Sequence, residues 1–160
     1  MNTTGVKPIE ILLIEDNIGD IRLTEEALAE SNLLVNLTVA RDGIEAVERL
    51  RGNGTRTEVT PDLILLDLNL PRKDGREVLL EIKNDAELRR IPVVVLTTSE
   101  AEADIVASYG LHANCYITKP IDMDQFIKIV QMLEEFWFTI VKLPPRRNTK
   151  PVSQSRTSAP

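Results

Sequence analysis

The chain has 160 residues, and because a domain usually takes about 100 to 200 residues, this length predicts one domain with one core. Its composition, 42% hydrophobic and 28% charged residues, is typical of a soluble globule and excludes collagen-like, mucin-like and wholly disordered proteins. The net charge is −6, but residues 142–160 hold five basic residues and no acidic ones, so the preceding body carries −11 and lacks the basic face that nucleic acids require.

Five short apolar runs alternate along the chain with five stretches of helical periodicity, which predicts an α/β fold. The runs that we expect to form strands are Ile9–Ile14, Leu34–Val39, Leu63–Leu66, Val93–Leu96 and Cys115–Thr118. The first, third and fourth runs are apolar almost throughout, as in strands that helices cover on both faces. The sequence therefore predicts a parallel sheet.

Start and stop signals place one helix after each strand. The five helices are expected over Ile18–Glu30, from Asp42, from Asp74-Gly75, from Ser99 to Gly110, and over Asp122–Val141. Asp42 followed three residues later by Glu45, and Ser99 followed by Glu102, are typical of capping boxes at the start of a helix.

The two ends of the chain differ in composition from its centre. Pro144 and Pro145 cannot continue a helix, and the segment after them is rich in Pro, Ser, Thr and Arg without apolar periodicity. We therefore predict a folded domain over residues 8–142, a flexible N-terminus over residues 1–7, and a disordered basic tail over residues 143–160.

Cysteine usage and hydropathy predict an intracellular location. The one cysteine, Cys115, cannot form an internal disulfide or a multi-cysteine zinc site, and within an apolar strand it is expected to be a small buried hydrophobe. No apolar run approaches the roughly 20 residues that cross a bilayer, and the start of the chain lacks a basic-then-apolar signal pattern. We expect a cytoplasmic protein with no membrane partner.

Polar residues follow four of the predicted strands at the point where each strand ends. They are Glu15 and Asp16 after the first strand, Asp67 and Asn69 after the third, Thr97 and Thr98 after the fourth, and Lys119 after the fifth. The carboxyl ends of parallel strands meet at one edge of a sheet, where such proteins bind their ligands. We therefore expect these side chains to converge.

Three carboxylates at one sheet edge repel one another, because a pair about 4 Å apart costs on the order of 4 kcal/mol at an effective dielectric constant of about 20. Lys119 alone cannot neutralise three acids. An oxygen-only site with no histidine or thiol favours a hard cation such as Mg²⁺. Acids, metal, lysine and hydroxyl together suit a phosphoryl group, with Asp67 at the centre as the candidate nucleophile.

In these motifs the sequence resembles the receiver domains of two-component response regulators. The resemblance covers about Ile9 to Val141 and rests on Glu15-Asp16, on Asp67 within the segment Leu65–Pro71, on Asp74-Gly75, on Thr97 and on Lys119-Pro120. It implies a flavodoxin-like fold with a five-stranded parallel sheet of order 2-1-3-4-5 and five helices on its two faces.

The resemblance also implies a metal site and a phosphoacceptor. Asp67 would accept a phosphoryl group from a phosphohistidine of a sensor histidine kinase. Asp16, the Asp67 carboxylate and the backbone carbonyl of Asn69 would hold Mg²⁺. Glu15 stands where aspartate is also common in the family, and it would assist through water.

The resemblance also implies roles for residues near the last two strands, which would bind the phosphoryl group or change conformation when it is present. Thr97 and Lys119 would each bind a phosphoryl oxygen, and a cis Lys119-Pro120 bond would aim the lysine inward. Tyr116 would turn inward as Thr97 moves. Thr98 stands where the family often has alanine, and its larger side chain predicts an altered lifetime of the phosphorylated state.

Three short segments narrow the resemblance to one group of receivers. Ile14–Asp20, Cys115–Pro120 and Glu134–Trp137 look like the stand-alone receivers that are partnered with bacterial and cyanobacterial phytochrome kinases. This resemblance implies a phytochrome-like sensor histidine kinase as the partner and a signal that travels by protein contact.

Three consecutive aromatic residues near the end of the last helix indicate a partner surface. Phe136, Trp137 and Phe138 are half of the six aromatic residues in the chain. Because consecutive helical residues point about 100° apart, all three cannot face one core. We predict that the exposed aromatics mediate homodimerisation; the alternative is that the tail folds back over them.

Other functions fit the residues less well. A metal-dependent phosphohydrolase with an aspartyl-phosphate intermediate usually carries a second acid two residues after the nucleophile, where this chain has Asn69. A flavodoxin-type cofactor binder would not place Glu15 and Asp16 against a phosphate. A receiver-like scaffold that is never phosphorylated would not need the acids, threonine and lysine together. We therefore expect a phosphoacceptor with at most slow self-dephosphorylation, not an enzyme.

Overall fold

The computed structural model describes residues 7–31, 33–52, 60–98, 113, 115–119 and 121–136, and in the last helix it describes the side chains of residues 123–129 and 131. The chain divides into two compact units, Met1–Phe126 and Ile127–Pro160. All five strands and the polar residues at their ends lie in the first unit.

The sheet has five parallel strands in the order β2-β1-β3-β4-β5, which confirms the predicted fold class and strand order. The strands are β1 Ile9–Ile14, β2 Val35–Ala40, β3 Leu63–Asp67, β4 Val93–Thr97 and β5 Cys115–Thr118. Each predicted boundary agrees within one residue. Asp67 and Thr97, expected just after their strands, are the last residues of β3 and β4.

Four helices and one short 3₁₀ turn are described. They are α1 Ile18–Glu30, α2 Gly43–Arg51, α3 Gly75–Lys83 and α4 Met123–Phe136, with the 3₁₀ turn at Leu88–Arg90. The helix predicted between Ser99 and Gly110, and the predicted continuation of the last helix to Val141, lie outside the described residues. Among the described helices, none combines the length and the apolar character that a bilayer crossing requires.

Acidic caps fix the starts of α2 and α3. At α2, Asp42 Oδ1 accepts a hydrogen bond from the backbone of Glu45 at 2.8 Å, while Glu45 Oε1 accepts one from the backbone of Arg41 at 2.9 Å. The return bond of the predicted capping box therefore falls one residue before the cap. At α3, Asp74 and Glu77 form a complete capping box, which holds the start of α3 directly after the β3 loop.

Both faces of the central strands are buried. On one face, residues of β1 and β3 pack in a single cluster with residues of α2 and α3: Leu12, Ile14, Ile64, Leu66, Ala46, Val78, Leu79 and Ile82. Successive side chains of a strand point to opposite faces. The residues that alternate with the cluster are at most 2% exposed: Ile11, Leu13, Leu63 and Leu65. This two-sided burial explains the continuous apolar runs of these strands.

Candidate functional site

Three acids meet at the carboxyl edge of the sheet. Glu15, Asp16 and Asp67 each offer a carboxylate oxygen, and these oxygens lie within 4.8 Å of one another. Glu15 and Asp67 are only 1% and 2% exposed, whereas Asp16 is more exposed. The structure thus brings together the acids that follow β1 and β3, as the parallel topology predicts.

The turn from β1 into α1 places Glu15 and orients the first turn of the helix. The backbone N–H of Glu15 donates to Ala40 of the neighbouring strand at 3.0 Å, so the ladder extends past the end of β1. Asn17 caps α1 by accepting a hydrogen bond from the backbone of Asp20 at 2.9 Å. Because the helix begins so soon after the strand, its first turn lies beside the acids.

Asp67 is held through both of its carboxylate oxygens. Its Oδ1 accepts a hydrogen bond from the backbone N–H of Asn69 at 3.1 Å, and its Oδ2 accepts one from Nζ of Lys119 at 3.2 Å. Asn69 lies in the exposed loop after β3. Asp67 is therefore positioned as a buried carboxylate next to a cation.

Lys119 is the cation at the centre of the site. Its Nζ donates to Asp20 at 2.8 Å, to Asp67 at 3.2 Å and to Glu15 at 3.3 Å, and its backbone N–H donates to Thr97 at 2.8 Å. Burial alone would lower the pKa of Lys119, but the hydrogen bond with Asp20 and the charges of Asp67 and Glu15 outweigh burial and raise that pKa above its ordinary value. The ammonium group therefore stays charged.

Asp20 is a site residue that sequence reasoning missed. Asp20 enters the sequence analysis only as the end of the segment Ile14–Asp20, with no predicted role. In the structure it makes the shortest of the three hydrogen bonds of the Lys119 amine. A signal was present in the sequence: with Asn17 as the cap, Asp20 falls in the first turn of α1, close to the end of β1.

Burial makes the acids compete for a proton when no cation is bound. Burial, together with a hydrogen bond to Asp67 and the charge of Asp67, raises the pKa of Glu15 to about 8. At neutral pH Glu15 therefore keeps its proton. A divalent cation would favour the ionised forms, and a donor set of carboxylate and carbonyl oxygens fits a hard cation.

Thr97, Thr98 and Tyr116 occupy the β4–β5 side of the site. Thr97 is 1% exposed at the end of β4, whereas Thr98 is exposed. Tyr116 is partly buried in β5, where it packs against the apolar cluster on one face of the sheet. Asp67 pairs with Leu96 in the sheet, so the threonine expected to bind a phosphoryl oxygen directly follows the residue that is paired with Asp67, and the predicted switch tyrosine lies on the adjacent strand.

Part of the predicted site lies beyond what the structure describes. Pro120 falls outside the described residues, as do Trp137, Phe138 and the side chain of Phe136. The proposed cis peptide bond and the aromatic interface therefore remain predictions. Cys115 is partly buried, and burial raises the pKa of its thiol, which agrees with a structural role for this residue.

Comparisons with known proteins match the chain to one family. Residues 11–131 match the family described as the response regulator receiver domain. The chain is 51% identical to the response regulator Rcp1 of Synechocystis sp. over 145 residues. This alignment covers 90% of this chain and 99% of Rcp1. The predicted family is confirmed by this match.

Solved structures of related proteins share the fold. The phosphorylated cyanobacterial phytochrome response regulator RcpA is 55% identical, with a TM-score of 0.69 over 86% of this chain and 99% of that one. The bacteriophytochrome response regulator AtBRR is 44% identical, with a TM-score of 0.75 over 82% of this chain and 96% of AtBRR. The Mn²⁺-bound form of Rcp1 is 51% identical, with a TM-score of 0.66 over 86% of this chain and 99% of Rcp1.

Proposed function

This chain belongs to the response regulator receiver family, and from that membership we propose that it accepts a phosphoryl group on Asp67. One observation carries the proposal: Asp67 is a nearly buried carboxylate at the end of β3, with Nζ of Lys119 3.2 Å from one of its oxygens. Phosphorylation of an aspartate is what the family implies. Asp67 accepts hydrogen bonds both from the Lys119 amine and from the backbone of the β3 loop. Glu15 also contacts the amine, but the backbone hydrogen bond that its side chain accepts comes from the turn before α1.

The chemistry follows from these contacts. A carboxylate oxygen of Asp67 attacks the phosphorus of a phosphohistidine, an O–P bond forms as the P–N bond breaks, and the electron pair leaves with the imidazole nitrogen. The proton that Lys119 carries is not consumed, because the ammonium group acts as a fixed positive charge. Lys119 and the hydroxyl of Thr97 then bind phosphoryl oxygens.

We propose Mg²⁺ as the cation of the site. Receiver domains bind a divalent metal, and a solved structure of Rcp1 is the Mn²⁺-bound form. Asp16, Asp67 and the backbone carbonyl of Asn69 would hold the ion here, with Glu15 acting through water. Bound Mg²⁺ supplies positive charge against the phosphoryl oxygens.

The partners are proposed from the relatives. RcpA and AtBRR are named as phytochrome and bacteriophytochrome response regulators, which supports a phytochrome-type sensor histidine kinase as the phosphodonor of this chain. We place the reaction in the cytoplasm, with the signal passed on by protein contact and not through nucleic acid or membrane binding.

Homodimerisation through Phe136, Trp137 and Phe138 is a separate proposal that the aromatic cluster supports. Sedimentation velocity at micromolar concentration, with and without beryllofluoride as a phosphoryl mimic, tests it. We expect a dimer in at least one condition. Wild-type protein that sediments as a monomer in both conditions would contradict the proposal.

Receiver domains are typically phosphoacceptors and not turnover enzymes, and we propose that this chain at most dephosphorylates itself slowly. Two residues after Asp67, the chain has the exposed amide Asn69. An amide cannot serve as the acid or base that activates water for hydrolysis. We therefore expect the phosphorylated state to dephosphorylate itself slowly at most.

Phosphotransfer tests the proposed function. Wild-type protein and the Asp67→Asn variant are incubated with an autophosphorylated phytochrome-type histidine kinase, and in parallel with acetyl phosphate, in the presence of Mg²⁺ or of a chelator. We expect one phosphoryl group by intact mass in the wild type with Mg²⁺, and none in the variant or with the chelator. Asp124→Asn, which changes an exposed aspartate of α4, is the matched control and should be labelled normally. Labelling of Asp67→Asn at the wild-type rate would refute the assignment.

A further inference from the structure

Asp20 is bound to the site through Lys119. Its carboxylate lies 2.8 Å from the Lys119 amine, closer than those of Asp67 and Glu15 at 3.2 and 3.3 Å. Among the described residues, the acids with oxygens within 4.8 Å of one another are Glu15, Asp16 and Asp67. Asp20 therefore adds negative charge next to the lysine without being a member of that group.

The first turn of α1 keeps Asp20 in place. The backbone N–H of Asp20 donates to Oδ1 of Asn17 at 2.9 Å, and its carbonyl accepts a hydrogen bond from the hydroxyl of Thr24 at 3.0 Å. Thr24 is 4% exposed, and this second bond is partly buried. Because the backbone is held on both sides, the Asp20 carboxylate can move only by rotation of its own short side chain.

The Lys119 amine has as many acceptors in this structure as it has N–H donors. An ammonium group has three N–H donors, and three carboxylates accept hydrogen bonds from it in this structure. A phosphoryl oxygen can therefore bind Lys119 only if one carboxylate gives up its bond. Asp67 is the proposed phosphoacceptor and Glu15 belongs to the cluster of three acids, whereas Asp20 is in neither position.

We propose that Asp20 is a positioning residue that holds Lys119 in the unphosphorylated site and competes with the phosphoryl group for it. The inference rests on the proposed roles of Asp67 and Lys119. Phosphorylation brings new negative charge to the site and transfers the lysine from Asp20 to a phosphoryl oxygen. The Asp20 charge then stands without its cation, so Asp20 biases the protein toward the unphosphorylated state.

Beryllofluoride titration tests the proposal. NMR spectra recorded at fixed pH and saturating Mg²⁺ give the apparent dissociation constant of beryllofluoride for the wild type, Asp20→Asn and Asp20→Glu. Release of Lys119 from its competing carboxylate should make binding to Asp20→Asn about tenfold tighter. Asp20→Glu keeps the charge and should stay closer to the wild type. The matched control, Glu25→Gln, removes an exposed charge from the same helix and should bind as the wild type does.

A second background separates action through Lys119 from a general effect of charge. In Lys119→Met, which removes the amine for which Asp20 and the phosphoryl group compete, Asp20→Asn should no longer change the dissociation constant. An unchanged constant in Asp20→Asn alone, or the same tenfold change in the Lys119→Met background, would overturn the inference. Wild-type protein that fails to bind beryllofluoride would instead overturn the proposed function.

Discussion

Gly75 lies so close to the backbone of Asp67 that residue 75 has no room for a side chain. A Cβ atom there would stand 2.8 Å from the carbonyl oxygen of Leu68 and still nearer to the carbonyl oxygen of Asp67. The N–H of Gly75 also donates to the Leu68 carbonyl at 2.9 Å. The start of α3 is therefore packed directly on the end of β3, which carries the proposed phosphoacceptor.

Gly75→Ala is expected to destabilise the fold and disturb phosphorylation together. The new methyl group meets backbone atoms, which cannot rotate away, so we expect a loss of about 2 to 3 kcal/mol in the free energy of unfolding. Urea denaturation measures this loss, and acetyl phosphate labelling measures the effect on Asp67.

Gly19→Ala is the matched control for that substitution. Gly19 also lies in the first turn of a helix, but a Cβ there would meet only the side-chain oxygen of Asn17 at 3.2 Å. That oxygen can shift, and alanine favours the helix, so the change should be below about 1 kcal/mol. Equal losses in the two variants would show that the contact with Asp67 is not what matters at residue 75.

The sequence was sufficient to predict the strands and the meeting of the acids. Short apolar runs between stretches of helical periodicity mark the strands, so the bounds of β1 and β5 agree fully and those of the other strands within one residue. Parallel strands must end at one edge, so Glu15 and Asp67 could be placed together without knowing the sheet order. The order itself came from the family resemblance, because alternation of strands and helices fits several orders.

Contacts that depend on how a helix docks could not be predicted. Asp20 and Lys119 are 99 positions apart, and their contact requires a particular rotation of α1 against the sheet. Arg72 adopts a positive φ of 64°, although an arginine gives no local signal for that conformation. Both features are set by tertiary packing, which the periodicity of a single segment does not contain.

Metal-free protein should lose stability as the pH rises from about 4.5 to about 8, the interval between the ordinary pKa of Glu15 and its raised value in the folded state. In this interval the folded state binds more protons at Glu15 than the unfolded state, so the stability that protonation provides is complete below the interval and lost above it. The contribution of Glu15 is up to about 5 kcal/mol. Urea denaturation across this pH range, in a chelator, measures it.

Glu15→Gln should remove most of that pH dependence, because glutamine has no proton to lose and retains a hydrogen-bonding side chain. Saturating Mg²⁺ should reduce it in the wild type by stabilising the ionised acids. Glu25→Gln, an exposed substitution on α1, should keep the wild-type slope. A Glu15→Gln profile that parallels the wild-type one would rule out Glu15 as the group responsible.

Thr98→Ala should shorten the lifetime of the phosphorylated state. Thr98 is exposed directly after Thr97, the proposed phosphoryl ligand, and we predict that its side chain narrows the approach of water to the acyl phosphate. We expect self-dephosphorylation to be about threefold faster, a change of less than 1 kcal/mol in the barrier. Loss of labelled protein over time after donor removal measures the rate. Thr38→Ala, an exposed threonine of β2, is the control, and an unchanged rate in Thr98→Ala would refute the steric role.

Arg72 combines a strained backbone with an ion pair, and two substitutions separate these effects. Its side chain is 57% exposed and lies 3.2 Å from Asp42, so the pair contributes little. Arg72→Gly and Arg72→Ala both remove the guanidinium group, but only glycine accepts the φ of 64° without strain.

The glycine variant should therefore be the more stable of the two, by about 0.5 to 1 kcal/mol, because relief of strain in the folded state exceeds the added flexibility of glycine in the unfolded state. Equilibrium urea denaturation measures the difference. Arg22, exposed within α1, gives the control pair, where alanine should be more stable than glycine by about 1 kcal/mol. If alanine were also the more stable residue at position 72, the loop would be relaxing its backbone, and the strain would not be a fixed feature of the segment between Asp67 and α3.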